Sequence, residues 1–470
     1  MCTQNRKAST RDALLRRHPL ISSLMWLGPL ALLWGSAIVL AHQTTLWAIT
    51  WTYYLFGGLC LLTYVGLWGW AVSVSRKPRP TLFNGMTFTL CVVVILLCLE
   101  ALAVLKLVRW RLLFQQLTGS VQHASWAFQH DPELEFRRRP YDHWVGRPTS
   151  DIESGWTMPA SQRQPLVFTY DRWGYRNAED LDQADVVLIG DSYVEGWYVS
   201  DEHTTARRLQ EQLNQSVANL GIAGYGTMQE LRVLQRDAMR FHPKVVIWFF
   251  FEGNDLYDDE RFENFLNAAS PEPPDRTASP LGMAQAHGWR QRSFTLALWR
   301  QLRRWMHPIM PNHTPYFGRL VAPKGGERTV YFSSYAAIPW TPWVANRWET
   351  ARDRLAQAVA FCRSRGIHLL IAFVPIKFRV YQPFIDLEAH SPCHTWTLWP
   401  IVERFMAFCQ SAGIPCLDLT PLFQAAMRHG ILPYSDVDSH WSPEGHQLVA
   451  DHLAVELRKR GWLTAADPSR

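Results

Sequence analysis

None of the eight cysteines in this 470-residue chain stands in paired C-x-x-C spacing, which argues against a structural zinc site. Cys2 stands at the start, and Cys60, Cys91 and Cys98 fall in apolar runs. Cys362, Cys393, Cys409 and Cys416 lie in the polar part. Two disulfides or buried free thiols are both open to these last four. No lysine- or arginine-rich block occurs and the net charge is a modest +6, so the footprint of a nucleic-acid binder is missing. There is no internal repeat. No metal and no cofactor is expected.

Charge is also missing, locally, from the first hundred residues. Residues 20–41 form an uncharged apolar run, long enough at about 1.5 Å per residue to cross a bilayer as a helix. Second and third runs follow at 46–74 and 86–107, the latter holding Glu100. That glutamate is read as interfacial or as facing a neighbouring helix. Arg6, Lys7, Arg11, Arg16 and Arg17 precede the first run, and Arg76, Lys77 and Arg79 follow the second. The loop 42–45 carries neither Lys nor Arg. The positive-inside rule then predicts a cytoplasmic amino terminus (1–19), three transmembrane helices within 20–108 and an extracytoplasmic, periplasmic remainder anchored in the inner membrane. Lys106, Arg109 and Arg111 argue the other way, and cleavage after Val39-Leu40-Ala41 is a competing reading.

Residues 109–165, with Arg137-Arg138-Arg139-Pro140, read as a connector. From residue 166 apolar runs at 185–189, 217–222, 244–251, 367–374 and 414–419 alternate with helical windows near 203–215, 227–240, 345–365, 396–411 and 443–459. This is the pattern of βαβ units, and it predicts an α/β domain over 166–465 with a parallel sheet covered by helices. Residues 256–344 interrupt the pattern with several prolines and many aromatics, and are expected to form a cap over the site. Within them, 293–306 has helical spacing with Arg300, Arg303 and Arg304 on its polar side.

Four blocks carry chemistry. Ala184 to Ile189 reads as a buried strand ending at Gly190-Asp191-Ser192, and a serine there sits where open parallel sheets hold ligands. It is not the G-x-S-x-G elbow, because Asp191 and Tyr193 flank the serine. The second block, Asn219-Leu220-Gly221-Ile222-Ala223-Gly224, follows a short strand, and its glycines let a backbone N–H approach a ligand. The third is Glu252-Gly253-Asn254-Asp255, and the fourth Asp436-Val437-Asp438-Ser439-His440-Trp441-Ser442-Pro443. Asp191 is read as holding its turn, and Asp258, Asp259 and Glu260 as a solvated acidic turn. His242 and His446 are read as surface or helix-packing histidines.

The order of these blocks resembles the SGNH (GDSL-type) hydrolase superfamily over roughly residues 166–460. The resemblance implies a flavodoxin-like three-layer α/β/α fold. It also implies a nucleophile at Ser192, a base at His440, and an oxyanion hole from the N–H groups of Ser192 and Gly224 with the amide of Asn254; Gly221 is the rival of Gly224. The usual late D-x-x-H is absent because position 437 is Val, and Asp438-Ser439-His440-Trp441 is similar to the D-x-H-W of the alginate-acetylating, membrane-anchored branch. In an extended segment residues i and i+2 project to one side, so Asp438 is preferred to Asp436 as the partner of His440. Ser442 and Pro443 read as the N-cap and first residue of the following helix. The expected activity is that of a serine esterase acting on an O-acylated carbohydrate or related envelope ester. Transfer to a glycan, and a non-catalytic envelope scaffold, are the alternatives.

Overall fold

The computed structural model describes residues 78–105, 107–108, 110, 113, 128–146, 151–152, 165–267, 293–295, 297–298, 316–321, 327–389, 391–436 and 438–463. They divide between two units, residues 1–120 with 287–311 and residues 121–286 with 312–470. In the first unit, helix α1 (Pro78–Val104) carries the third apolar run, and its Leu90, Val94, Ile95, Leu97 and Val104 are exposed. Glu100 accepts from the Ser293 hydroxyl and the Thr295 N–H, each at 2.8 Å. Among the described residues no helix is long and apolar enough to cross a membrane. The runs at 20–41 and 46–74, and most of 293–306, lie outside the described residues.

The second unit opens with two antiparallel pairs, β1 (Phe128–Asp131) with β2 (Glu135–Arg138) and β3 (His143–Gly146) with β4 (Leu166–Thr169). The alternation read from sequence follows, as β5 (Val186–Ile189), α2 (Ser192–Glu195), α3 (Thr205–Leu213), β6 (Val217–Asn219), α4 (Thr227–Arg236), β7 (Val245–Phe251) and α5 (Asp255–Asn267). A meander strand pair, β8 (Phe317–Val321) and β9 (Glu327–Tyr331), precedes α6 (Pro342–Ser364), β10 (His368–Val374) and α7 (Lys377–Tyr381). The chain ends with β11 (Ile385–Asp386), α8 (Ile401–Ala412), β12 (Cys416–Asp418), α9 (Thr420–Arg428) and α10 (Pro443–Arg460).

The five strands β12-β10-β7-β5-β6 pair in that order, all parallel. Counted along the chain this is the order 2-1-3-4-5 of flavodoxin-like sheets, whose switch point lies between β5 and β7. Alternate residues feed two cores. Val187, Ile189, Val246, Trp248, Ile371 and Phe373 pack on one face with Leu234, Leu355 and Phe405 of α4, α6 and α8. Val186, Leu188, Ile247, Phe249 and Leu370 pack on the other with Leu209 of α3 and Leu453 of α10. Strands buried on both faces explain the unbroken apolar runs. Cys409 and Cys416 form a disulfide between α8 and β12, while Cys362 and Cys393 are buried free thiols.

The stretch read as a connector contributes to this core. Phe128, Leu134 and Phe136 of the β1–β2 hairpin are at most 1% exposed. Arg138 pairs with the buried carboxylate of Glu195 through Nε at 2.8 Å and Nη2 at 3.2 Å. The same glutamate accepts from Tyr170 Oη and from the Ala223 N–H, each at 2.7 Å. The interval 256–344 likewise divides. Its first part is α5, with Leu256 and Phe262 fully buried, and its last part pairs β8 with β9 and with β11. Truncating Arg138 leaves Glu195 charged and buried without its partner, a class of change that costs about 3–5 kcal/mol. Arg138→Met is therefore expected to lower the urea-unfolding free energy by that amount. A loss below about 1 kcal/mol, the range of exposed ion pairs, refutes an integral role for the hairpin.

Candidate active site

The site forms where β5 and β7 end. Gly190 closes β5 because a Cβ there would meet Val194 Cγ2 at 2.5 Å and Phe249 Cβ at 3.2 Å. Asp191 then caps α2, its carboxylate accepting the Tyr193 N–H at 3.0 Å, and Ser192 becomes the first residue of that helix. The expected structural role of Asp191 is what the geometry displays. Burial pushes its carboxyl up to about 7.

At the other end of the domain Ser442 caps α10 by accepting the Gly445 N–H at 3.1 Å, with Pro443 in the first turn, as the sequence predicts. His440 therefore lies just before the helix, and its Nε2 is 2.8 Å from Ser192 Oγ. Its Nδ1 is 2.6 Å from Asp438 Oδ1, which also accepts the His440 N–H at 2.9 Å. An ionised carboxylate only accepts, so in the neutral ring Asp438 holds the proton on Nδ1 and leaves Nε2 to accept from the serine. Burial alone would raise Asp438 and lower His440. Their mutual attraction reverses both, bringing the aspartate down to about 2 and the histidine up to about 8. Asp436 is turned away, its carboxylate 3.6 Å from Arg328.

Most backbone N–H groups around the oxyanion candidates have a partner. In the loop after β6, Asn219 N–H donates to Asn177 Oδ1, Leu220 to Leu188 O and Gly221 to Asn219 Oδ1. Ile222 donates to Gly190 O, Ala223 to Glu195 Oε2, Tyr225 to Ile222 O and Gly226 to Gln229 Oε1. Among the described residues no acceptor takes the N–H of Gly224, whose φ of +84° is the left-handed conformation that favours glycine. The Gly221 N–H, that of the rival candidate, is engaged by Asn219 Oδ1. Asn254 follows β7, and its Nδ2 donates one hydrogen to Asp258 Oδ2, while the second meets no acceptor among the described residues.

Several groups at the site were not found from sequence. The Asp151 N–H donates to Asp438 Oδ2 at 2.9 Å, and its own carboxylate accepts from the N–H and hydroxyl of Ser439. Burial and the charge of Asp438 raise Asp151 to about 7. One ligand atom from each of Asp151, Asp438 and His440 lies within 4.8 Å of the others, but both His440 nitrogens already face Asp438 and Ser192, so the group forms a hydrogen-bonded network. Lys377 donates through Nζ to the carbonyls of Ser435, Asp436 and Asp438. Burial lowers it to about 8. Tyr193 Oη donates to Ser439 O at 2.7 Å while its ring lies 5.0 Å from that of His440. Asp258 and Asp259 are buried, not solvated: Asp258 accepts from Asn254 and Arg261, and Asp259 from Thr227 Oγ1 and the Met228 N–H. His446 packs its ring on Trp441 and pairs Nδ1 with Thr205 Oγ1 at 2.8 Å, and His242 is exposed, as expected for both.

A family profile described as the SGNH hydrolase-like domain of the acetyltransferase AlgX matches residues 341–470. That span contains Asp438 and His440, while Ser192, Gly224 and Asn254 precede it. The probable alginate O-acetylase AlgJ of Pseudomonas aeruginosa is 33% identical over 95 residues, 20% of this chain and 23% of the relative. The protein of the same description from Pseudomonas syringae pv. tomato is 30% identical over 123 residues, 26% of this chain and 30% of the relative. The matched stretches thus span under a third of these curated relatives. Among solved structures, the lipase/acylhydrolase from Enterococcus faecalis aligns at 14% identity and a TM-score of 0.30, covering 60% of this chain and 98% of its own. These matches support the resemblance read from the four blocks: residues 341–470 are similar to an SGNH hydrolase-like domain, and shorter stretches are similar to alginate O-acetylases.

Proposed function

We propose that the chain is a serine enzyme that takes an acyl group from an O-acylated carbohydrate or related envelope ester through an acyl-enzyme on Ser192. The observation that carries this is the continuous line from Asp438 through His440 to Ser192 at 2.6 and 2.8 Å. Ser192 Oγ attacks the ester carbonyl as its proton passes to His440 Nε2. The oxyanion meets the N–H groups of Ser192 and Gly224 and the free hydrogen of Asn254 Nδ2. Each such donor is worth about a hundred- to a thousandfold in rate. The leaving alkoxide takes the proton from Nε2, and an incoming hydroxyl reverses the sequence. That hydroxyl belongs to water in an esterase. The names of the relatives favour a second reading, in which it belongs to a sugar and the enzyme is an O-acyltransferase.

The apolar runs and their flanking basic residues support anchorage in the inner membrane with the site outside the cytoplasm. A phosphatase active only after export, fused to the carboxyl terminus, is expected to be active. Activity of a cytoplasmic reporter at the same position refutes this orientation.

A fluorophosphonate probe is expected to label wild type and not Ser192→Ala. Nε2 must be unprotonated to accept the serine proton, so the labelling rate should rise with pH through about 8. The Asp438 charge is what lifts His440, so Asp438→Asn moves that midpoint down. It should also cost orders of magnitude in turnover, whereas Asp436→Asn stays near wild type. The reverse ranking overturns the assignment of the acid, and absence of labelling favours the scaffold reading.

Transfer and hydrolysis separate in one experiment. With an acyl-labelled donor and an oligosaccharide acceptor, label retained on the glycan marks a transferase. Release as free acid marks an esterase.

A further inference from the structure

The two candidate oxyanion donors away from the serine stand on different loops, Gly224 after β6 and Asn254 after β7, and one buried side chain joins them. Arg261, on α5, donates from Nη2 to the Gly224 carbonyl at 2.5 Å and from Nη1 to Asp258 Oδ1 at 2.6 Å. Asp258 Oδ2 in turn accepts from Asn254 Nδ2. The guanidinium is engaged elsewhere too: Nε donates to Glu135 Oε2 at 3.1 Å, Nη2 also reaches Gln229 Oε1 at 3.2 Å, and Phe136 lies with its ring centroid 5.3 Å from Cζ. The side chain is 5% exposed.

A rigid planar fork can hold a carbonyl and a carboxylate at a fixed angle to one another, which a lysine ammonium on a flexible stem does not do. Holding the Gly224 carbonyl restricts the torsions of a glycine whose φ is +84°. Such a residue would otherwise turn freely and carry its N–H with it. The Asp258 contact fixes which hydrogen of Asn254 stays available. Burial raises Asp258 to about 6 against the pull of Arg261, and the ionised form is the one that accepts from both neighbours.

We propose that Arg261 is a positioning residue that sets the spacing between the Gly224 N–H and the Asn254 amide, and so the geometry of the oxyanion hole. This rests on the acyl-enzyme reading above. Misplaced donors affect only the charge that develops in the transition state, so the loss belongs in kcat and not in KM.

The test uses the full-length protein with p-nitrophenyl acetate, and with the fluorophosphonate probe as a second readout. Arg261→Lys is expected to lower kcat by about tenfold to a hundredfold with KM within about twofold. Asp258→Asn, which removes the charge and keeps the shape, should give the same kcat-only loss and serves if Arg261→Lys does not fold. Placed on Asn254→Ala, Arg261→Lys should lose markedly less than it does alone, because one donor it positions is already gone. Equal losses in both backgrounds, an unchanged kcat, or a rise in KM alone overturns the clamp. If wild type shows neither turnover nor labelling that depends on Ser192, the acyl-enzyme reading fails and the clamp falls with it. Clear wild-type activity with additive losses refutes the clamp alone.

Discussion

A carboxylate with no exposed surface is the constraint to which the rest of the site answers. Asp438 is 0% exposed, and a buried charge without partners is driven to neutralise. Here it receives the N–H and Nδ1 of His440 and the N–H of Asp151. Those three donors keep it ionised, and an ionised Asp438 fixes the tautomer of His440. The loop that carries it is pinned at its ends by the buried rings of Tyr434 and Trp441, and between them polar contacts anchor it. Lys377 gathers three of its carbonyls, the Tyr331 N–H reaches Asp436 O, and Tyr193 Oη takes Ser439 O. The tyrosine beside the serine therefore also holds the loop that brings the histidine to it.

The sheet order puts these parts within reach. Reversal of strand order between β5 and β7 opens a crevice at the carboxyl ends of the strands, and Ser192 and Asn254 are the residues that emerge there. The loop after β6 completes the crevice from the β5 side. Its backbone is tied down almost group by group, to Asn177, Glu195, Gly190 and Gln229. Glu195, which takes the Ala223 N–H, is itself held by Arg138 from the β1–β2 hairpin. Among the described residues the Gly224 N–H has no acceptor beside so many that are paired, and the proposed mechanism gives it the oxyanion.

What could be read from sequence was what depends on local periodicity. Unbroken apolar runs such as Val245–Phe251 identify strands buried on both faces, and their ends locate Ser192 and Asn254. The i, i+2 rule places Asp438 on the side of His440, and the Ser-Pro pair marks the start of α10. What escaped depends on contacts distant in sequence. Asp151 lies 287 residues from Asp438 in a stretch with no apolar period. The run Asp258-Asp259-Glu260 reads as solvated because acidic runs usually are, yet Asp258 and Asp259 are buried against Arg261 and the start of α4. Lys377 was within reach of inference, since it follows β10 at the same edge of the sheet where Ser192 follows β5.

In the proposed mechanism the choice between water and a sugar is not written in Ser192, His440 and Asp438, because attack on the ester and on the acyl-enzyme would use the same proton path in opposite directions. It depends on what occupies the position within hydrogen-bond reach of His440 Nε2 once the first alcohol has left. Ser192 is 8% exposed and His440 5%, so bulk solvent touches little of either group. In the proposed mechanism an acceptor hydroxyl bound against Nε2 excludes water from that position and takes the acyl group. On that reading the reaction is determined by whatever binds the acceptor, and not by the triad.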